Sequence, residues 1–276
     1  MNKPQNIVSV EPTPRIFAGW ADLIRFRELL YFLVWRDLIV RYKQTAIGVA
    51  WLVLRPALFT AILYAVFNSI DRFRGEADVP YYIVLLCGIV PWFYFSAVVS
   101  ESSGALISEA HLVSKIYFPR IFLPLVSVLA NLLDLTILSV LVGLIAVFSG
   151  VTLTWHALAA VPLLLAGAVA AAGVGIGLSV LSARYRDFRY LTGFILQAGI
   201  FLTPVIYTSR TLIPPQLEPI YFLNPMAGVI EGVRWAVLGL PVSPTNIGIS
   251  MASAAIVFLL ALFLFRWLES DIADFV

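Results

Sequence analysis

Charge is scarce in this sequence. Only 12% of the residues are charged against 61% apolar, where soluble domains carry roughly a quarter charged, so a water-facing globule is excluded and lipid must act as solvent. Cysteine is nearly absent: the single Cys87 excludes an internal disulfide and a CxxC metal site. The two histidines, His111 and His156, are isolated and have no ligand partner at metal spacing. Neither is read as catalytic, and no metal is expected. There is no GxxxxGK[ST] loop to cradle nucleotide phosphates through backbone amides, so any ATPase must be another chain and no cofactor is expected in this one. A formal charge of +2 is too small to suggest nucleic acid as a partner. The N-terminal stretch has no apolar h-region, so no cleavable signal peptide is expected there.

What the chain has in abundance is long apolar runs. A bilayer interior offers the backbone no hydrogen-bond partners, so such runs fold as helices. The fold class that follows is all-α, a polytopic membrane protein. Six runs, near residues 46–70, 81–100, 121–149, 155–181, 189–207 and 246–267, are each long enough to cross a hydrocarbon core of about 30 Å. They define a six-span domain over 46–267. Ahead of it, residues 1–19 hold three prolines and little periodicity, the composition of a mobile tail.

Residues 20–45 form an amphipathic interface helix: Trp20, Leu23, Ile24, Leu30, Tyr31, Val34, Trp35 and Leu38 recur at helical spacing. Asp22, Arg25, Glu28, Arg36 and Lys43 lie opposite, and Arg27 alone interrupts the apolar stripe. Such a helix lies flat on a membrane. The stretch 102–117 has helical spacing and stops at Pro119, whose missing N–H ends a helix, so a short protruding cytoplasmic helix is expected there. Residues 212–240 are too broken by proline to span and fit short interfacial or re-entrant helices.

Cytoplasmic segments are enriched in Lys and Arg. One set of connections and ends carries thirteen of these residues, seven of them in the tail and surface helix, against four (Arg72, Arg74, Arg210 and Arg234) on the other side. Both termini, including residues 268–276, are therefore expected in the cytoplasm. Arg184, Arg186 and Arg189, in a short basic and aromatic turn, serve either that rule or contact with a partner.

Ionisable groups inside the runs are few, which argues against a proton-driven carrier. At 1.5 Å per residue, Arg55 lies roughly 10 Å into its span and Asp134 roughly 15 Å from the same side. The two can form an intramembrane polar pair, with Asn131 one turn from Asp134; the alternative is that Arg55 snorkels to the interface. Gly173, Gly175 and Gly177 with Ala170–Ala172 form a small-residue face for close helix packing. Pro91 and Pro204 interrupt spans. No tandem repeat is visible, so one chain is half of a symmetric pathway and a two-fold homodimer is expected.

Several stretches, in order and spacing, resemble one family: WRDLIVRYKQTAIGVAWLVLRPAL at 35–58, GIVPWFYFS at 88–96, LVSKIYFPR at 112–120, ARYRDF at 183–188, FLTPVIY at 201–207, YFLNPM at 221–226 and LESDIADF at 268–275. The family is the membrane (permease) subunits of type-two ATP-binding-cassette exporters for O-antigen, teichoic acid, capsule and related cell-surface polysaccharides. The polysialic-acid capsule type is the more distant, especially in the N-terminal motif.

The resemblance implies a homodimeric permease in the cytoplasmic (inner) membrane. Two ATPase subunits would bind ATP and Mg and dock on Arg27, Glu28, Arg36, Glu109, His111, Lys115, Arg184 and Arg186. The substrate it implies is a lipid-linked polysaccharide. It also implies channel-lining aromatics at Tyr64, Phe67, Phe201 and Tyr207, and an outer gate at Tyr221, Phe222, Asn224 and Pro225. An ATP-driven exporter of drugs or small lipids would share the topology. A membrane-embedded glycan enzyme would carry paired carboxylates or a metal cluster near the interface, whereas the acidic residues here are scattered.

Overall fold

The computed structural model describes residues 24–43, 48–68, 79–115 and 118–269. The expected tail at 1–19 and the terminus beyond 269 lie outside the described residues. Eleven α-helices occur among the described residues: α1 (Arg27–Lys43), α2 (Ala50–Phe67), α3 (Tyr81–Ser108), α4 (Ala110–Lys115), α5 (Phe122–Phe148), α6 (Ala160–Arg184), α7 (Asp187–Leu202), α8 (Ser209–Leu212), α9 (Glu218–Tyr221), α10 (Pro225–Leu238) and α11 (Pro244–Leu268). A 3₁₀ turn, Trp155–Ala159, leads into α6.

Five of these helices, α2, α3, α5, α11 and α6 with its 3₁₀ turn, are long and apolar enough to cross a membrane. The fifth apolar run forms α7, which has 16 residues. At 1.5 Å per residue that is about 24 Å, short of a full hydrocarbon core. It stops where Pro204 follows, and residues 203–207 turn back into the protein, all of them buried.

The centre of the bundle is α3. Ile83, Leu85, Ile89, Val98 and Leu106 are fully buried along it, against α5, α6 and α10. In lipid the hydrophobic effect does not drive one apolar helix onto another, so close packing and hydrogen bonds must do so. A Cβ on Gly173 would lie 2.8 Å from the backbone of Phe258 in α11, and one on Gly175 would lie 2.8 Å from the Ser102 side chain in α3. The small residues of α6 thus serve two partners on two faces, and the single face read from the sequence is corrected.

The helix expected at 102–117 is also corrected. The second span runs unbroken to Ser108, because Ser102 and Ser103 are buried and the Ser102 hydroxyl donates to the Pro124 carbonyl at 3.1 Å. Only α4, six residues long, stands beyond the break at Glu109.

By contrast, α2 is mostly exposed, with Trp51, Leu54, Leu58 and Ile62 turned outward. Helix α1 packs on α5 through the buried Leu33. Its exposed side carries Tyr31, Phe32, Trp35 and Ile39, with the Tyr31 and Trp35 rings stacked. Arg36, Asp37 and Arg41 turn inward instead, away from the solvent-facing position that the amphipathic pattern gives Arg36.

Candidate functional site

Two polar assemblies stand out, one at each end of the bundle. At the end where α1 meets α3 and α5, Arg41 is the hub. Its Nη1 donates to Asn131 Oδ1 at 2.7 Å and to Asp134 Oδ2 at 3.3 Å, and its Nη2 donates to Asp37 Oδ2 and Glu101 Oε2, both at 3.0 Å. The Tyr42 hydroxyl donates to Asp134 Oδ1. Asn131 Nδ2 closes the network on Glu101 Oε2 at 2.7 Å. A few residues away, Arg36 donates to Glu109 at the α3–α4 break.

Burial alone would lower the Arg41 pKa, but the carboxylates of Glu101, Asp37 and Asp134 outweigh it and raise it. Burial, then the hydrogen bond to Asp134, pushes the Tyr42 hydroxyl well above its ordinary value, so it stays a donor. Hydrogen bonds to charged groups contribute about 1.5–3 kcal/mol each when shielded, and much less at partly exposed positions such as Arg36. Together they fasten α1 to two spanning helices, and a cavity of about 380 Å³ lies beneath α1 between Arg36, Glu101 and Ser127.

This geometry corrects the proposed Arg55–Asp134 pair. Asp134 is taken by Arg41 and Tyr42, whereas the Arg55 guanidinium lies over the Phe93 ring at 5.2 Å. The reason is reach: Arg41, projecting from a helix that lies across α5, meets the carboxylate first.

At the opposite end, α10 is inserted among α3, α6 and α11. It begins with a proline at its first position, where the missing N–H is harmless, and with the Asn224 side chain accepting from the Met226 amide at 3.0 Å. It ends at Gly239, whose φ of 70° is a left-handed cap that favours glycine. Along it, Glu231 and Arg234 are both buried. Arg234 donates to the carbonyls of Tyr207 (2.7 Å), Val205 (2.7 Å) and Val84 (3.2 Å) and to Glu231 Oε1 (3.1 Å). Glu231 Oε1 also accepts from the Ser209 amide at 3.0 Å.

Irregular backbone is tolerated at membrane depth only where protein groups satisfy it, and these two side chains do so for residues 205–209. Arg234, one of the four charges assigned to the side opposite the termini, is fully buried in the protein. The overlooked signal was the E-x-x-R spacing inside an apolar helix, which places two opposite charges one turn apart.

The remaining expected site residues fall out as follows. Arg27, Glu28, His111, Arg184 and Arg186 are exposed, with the Arg184 guanidinium 5.5 Å from the Tyr185 ring. Lys115 ends α4, and its side chain lies outside the described residues. Of the four aromatics, Tyr64 packs against Tyr81 and Tyr82, Phe67 is half-buried and Phe201 is exposed. Tyr207 departs from a lining role: it is buried, donates to the Phe201 carbonyl at 2.9 Å and meets the Tyr221 hydroxyl at 3.0 Å. At the expected gate, Phe222 is also buried, while its carbonyl accepts from Ser250 Oγ at 2.7 Å. Asn224 Nδ2 donates to Thr203 Oγ1 at 2.8 Å, which ties the start of α10 to the end of α7.

Comparison with known proteins places the sequence among transporters. A family model described as ABC-2 type transporter matches residues 28–238. An O-antigen export system permease protein of Klebsiella pneumoniae is 31% identical over 210 residues, covering 75% of this chain and 79% of that protein. An O-antigen export system permease protein of Myxococcus xanthus is 25% identical over 214 residues, covering 77% and 81%. A polysialic acid transport protein of Escherichia coli is 24% identical over 243 residues, covering 83% and 87%.

Proposed function

Because the chain belongs to the ABC-2 type transporter family, we propose that it is the permease subunit of an ATP-binding-cassette exporter that moves a lipid-linked cell-surface polysaccharide outward across the cytoplasmic membrane. Two copies form the pathway on a two-fold axis, both termini face the cytoplasm, and a separate pair of ATPase subunits binds ATP and Mg. The relatives' functions, O-antigen export and polysialic acid transport, support the class of cargo.

The observation that carries the mechanism is the Arg36–Glu109 and Arg41–Glu101–Asp134 linkage. It makes α1, the last third of α3 up to its break before α4, and the middle of α5 one mechanical unit. A partner closing against α1 and α4 would pull on two spans at once, and no covalent chemistry is asked of this chain. At the far end, the Arg234 lock keeps α10 and residues 205–209 together, so the outer part moves as a body. The exposed apolar sides of α2 and α7 (Trp51, Leu58, Phe194 and Phe201) are available to lipid and to a second copy.

The test is co-expression with a separate ATP-binding-cassette ATPase subunit. The two should purify together and move glycan into vesicles only with ATP. Purification of the chain free of any ATPase, with transport driven by a proton gradient, would sink the reading.

A further inference from the structure

Beside the Arg41 hub a second cavity, about 310 Å³, opens between α2, α3 and α5, and its two walls differ in chemistry. One wall is Arg55 with Trp51 and Phe93; the other is Glu101, Asn131 and Asp134 with Arg41 and Tyr42 of α1 set against them. Arg55 is exposed and, among the described residues, pairs with no carboxylate, having only the Phe93 ring beneath it. It lies roughly 8 Å along α2 from Ala50, on a helix whose other outward residues are apolar, where an unpaired charge is costly. The facing wall has the reverse imbalance. Glu101 and Asp134 share the single guanidinium of Arg41 with Asp37, which lies outside this cavity, and among the described residues Glu101 Oε1 accepts no hydrogen bond.

We infer that this cavity seats the headgroup of a phosphate-ester lipid. Its phosphate pairs with Arg55, its hydroxyl or ammonium donors face Glu101 and Asp134, and its chains run along the exposed apolar side of α2. Arginine suits phosphate because its planar fork donates two parallel hydrogen bonds, and the opposite wall needs donors that a bare phosphate lacks. Two lipids share this chemistry: an aminophospholipid of the bilayer and the phosphate and first sugar of a lipid-linked glycan. The second rests on the function proposed above, and the first does not.

The experiment is native mass spectrometry of the full-length protein titrated with phosphatidylethanolamine, with diacylglycerol of the same chains, and with a polyprenyl diphosphate sugar as competitor. Phosphatidylethanolamine should be retained over diacylglycerol by at least about fivefold, a margin within reach of one charge-assisted contact. Arg55→Gln should abolish that margin, and Arg55→Lys, which keeps the charge and controls for folding, should preserve most of it. Arg55-dependent displacement by the diphosphate sugar identifies the cargo lipid as occupant; retention of phosphatidylethanolamine against it identifies a bilayer lipid, and the site stands either way. Equal retention of phosphatidylethanolamine and diacylglycerol, or a margin unmoved by Arg55→Gln, overturns the inference.

Discussion

Arg234 and Glu231 lie one helical turn apart on α10, with Nη1 3.1 Å from Oε1 and both side chains buried. The pair is a clamp. Arg234 fills three backbone carbonyls of two other segments, and Glu231 takes the amide of a fourth residue, Ser209, so polar groups of the bent chain after α7 are met by protein side chains.

Removing the cation from that clamp should be the more damaging change. Arg234→Gln leaves a buried carboxylate and orphaned carbonyls, a loss of about 3–5 kcal/mol. Glu231→Gln keeps an acceptor for the Ser209 amide and should cost less. Thermal unfolding in detergent, followed by size-exclusion chromatography, should rank wild type above Glu231→Gln and Glu231→Gln above Arg234→Gln. The reverse order of the two variants would show that Arg234 is not the main satisfier of the loop.

Asp134 offers a choice of partners that a double-mutant cycle resolves. Arg41→Gln and Asp134→Asn should be non-additive, because each removes the same contact. In delipidated protein, Arg55→Gln and Asp134→Asn should add to within about 0.5 kcal/mol, as for residues that share no partner. Coupling between Arg55 and Asp134 larger than that between Arg41 and Asp134 would reinstate the intramembrane pair.

Two glycines with opposite surroundings test the packing of α6. Gly173→Ala drives a Cβ to 2.8 Å from the Phe258 backbone, which cannot retreat like a flexible side chain, and should cost about 1–3 kcal/mol. Gly104→Ala meets nothing within 4 Å inside α3 and should be neutral or stabilising by about 0.5–1 kcal/mol. Melting temperatures of the two purified variants check both signs.

How much of this was readable in advance depends on whether the cause is local. The apolar runs and the short helices between 212 and 240 follow from composition and from single prolines. The extension of α3 through Ser108 was hidden because Ser102 and Ser103 look like surface residues until the Pro124 carbonyl is placed against them. Likewise Arg41 and Asp134 are separated by 93 residues, and helical periodicity says nothing of which helices meet. The burial of Arg234 was hidden because a charge count weighs each Lys and Arg singly, whereas the Glu231 carboxylate one turn away allows this one to be buried.

Helix α1 is tied to the α3–α4 break by Arg36 and Glu109, and the reading of this chain as a driven permease depends on force crossing that tie. The most direct measurement is ATP-dependent glycan movement into vesicles holding the chain and its ATPase, compared for wild type, Arg36→Glu, Glu109→Arg and the double swap. The account predicts that each single reversal lowers transport about tenfold or more while ATPase binding persists, and that the swap recovers a large part of it, since opposite charges are again adjacent. Full transport in both single variants, or glycan movement by the chain with no ATPase present, would contradict it.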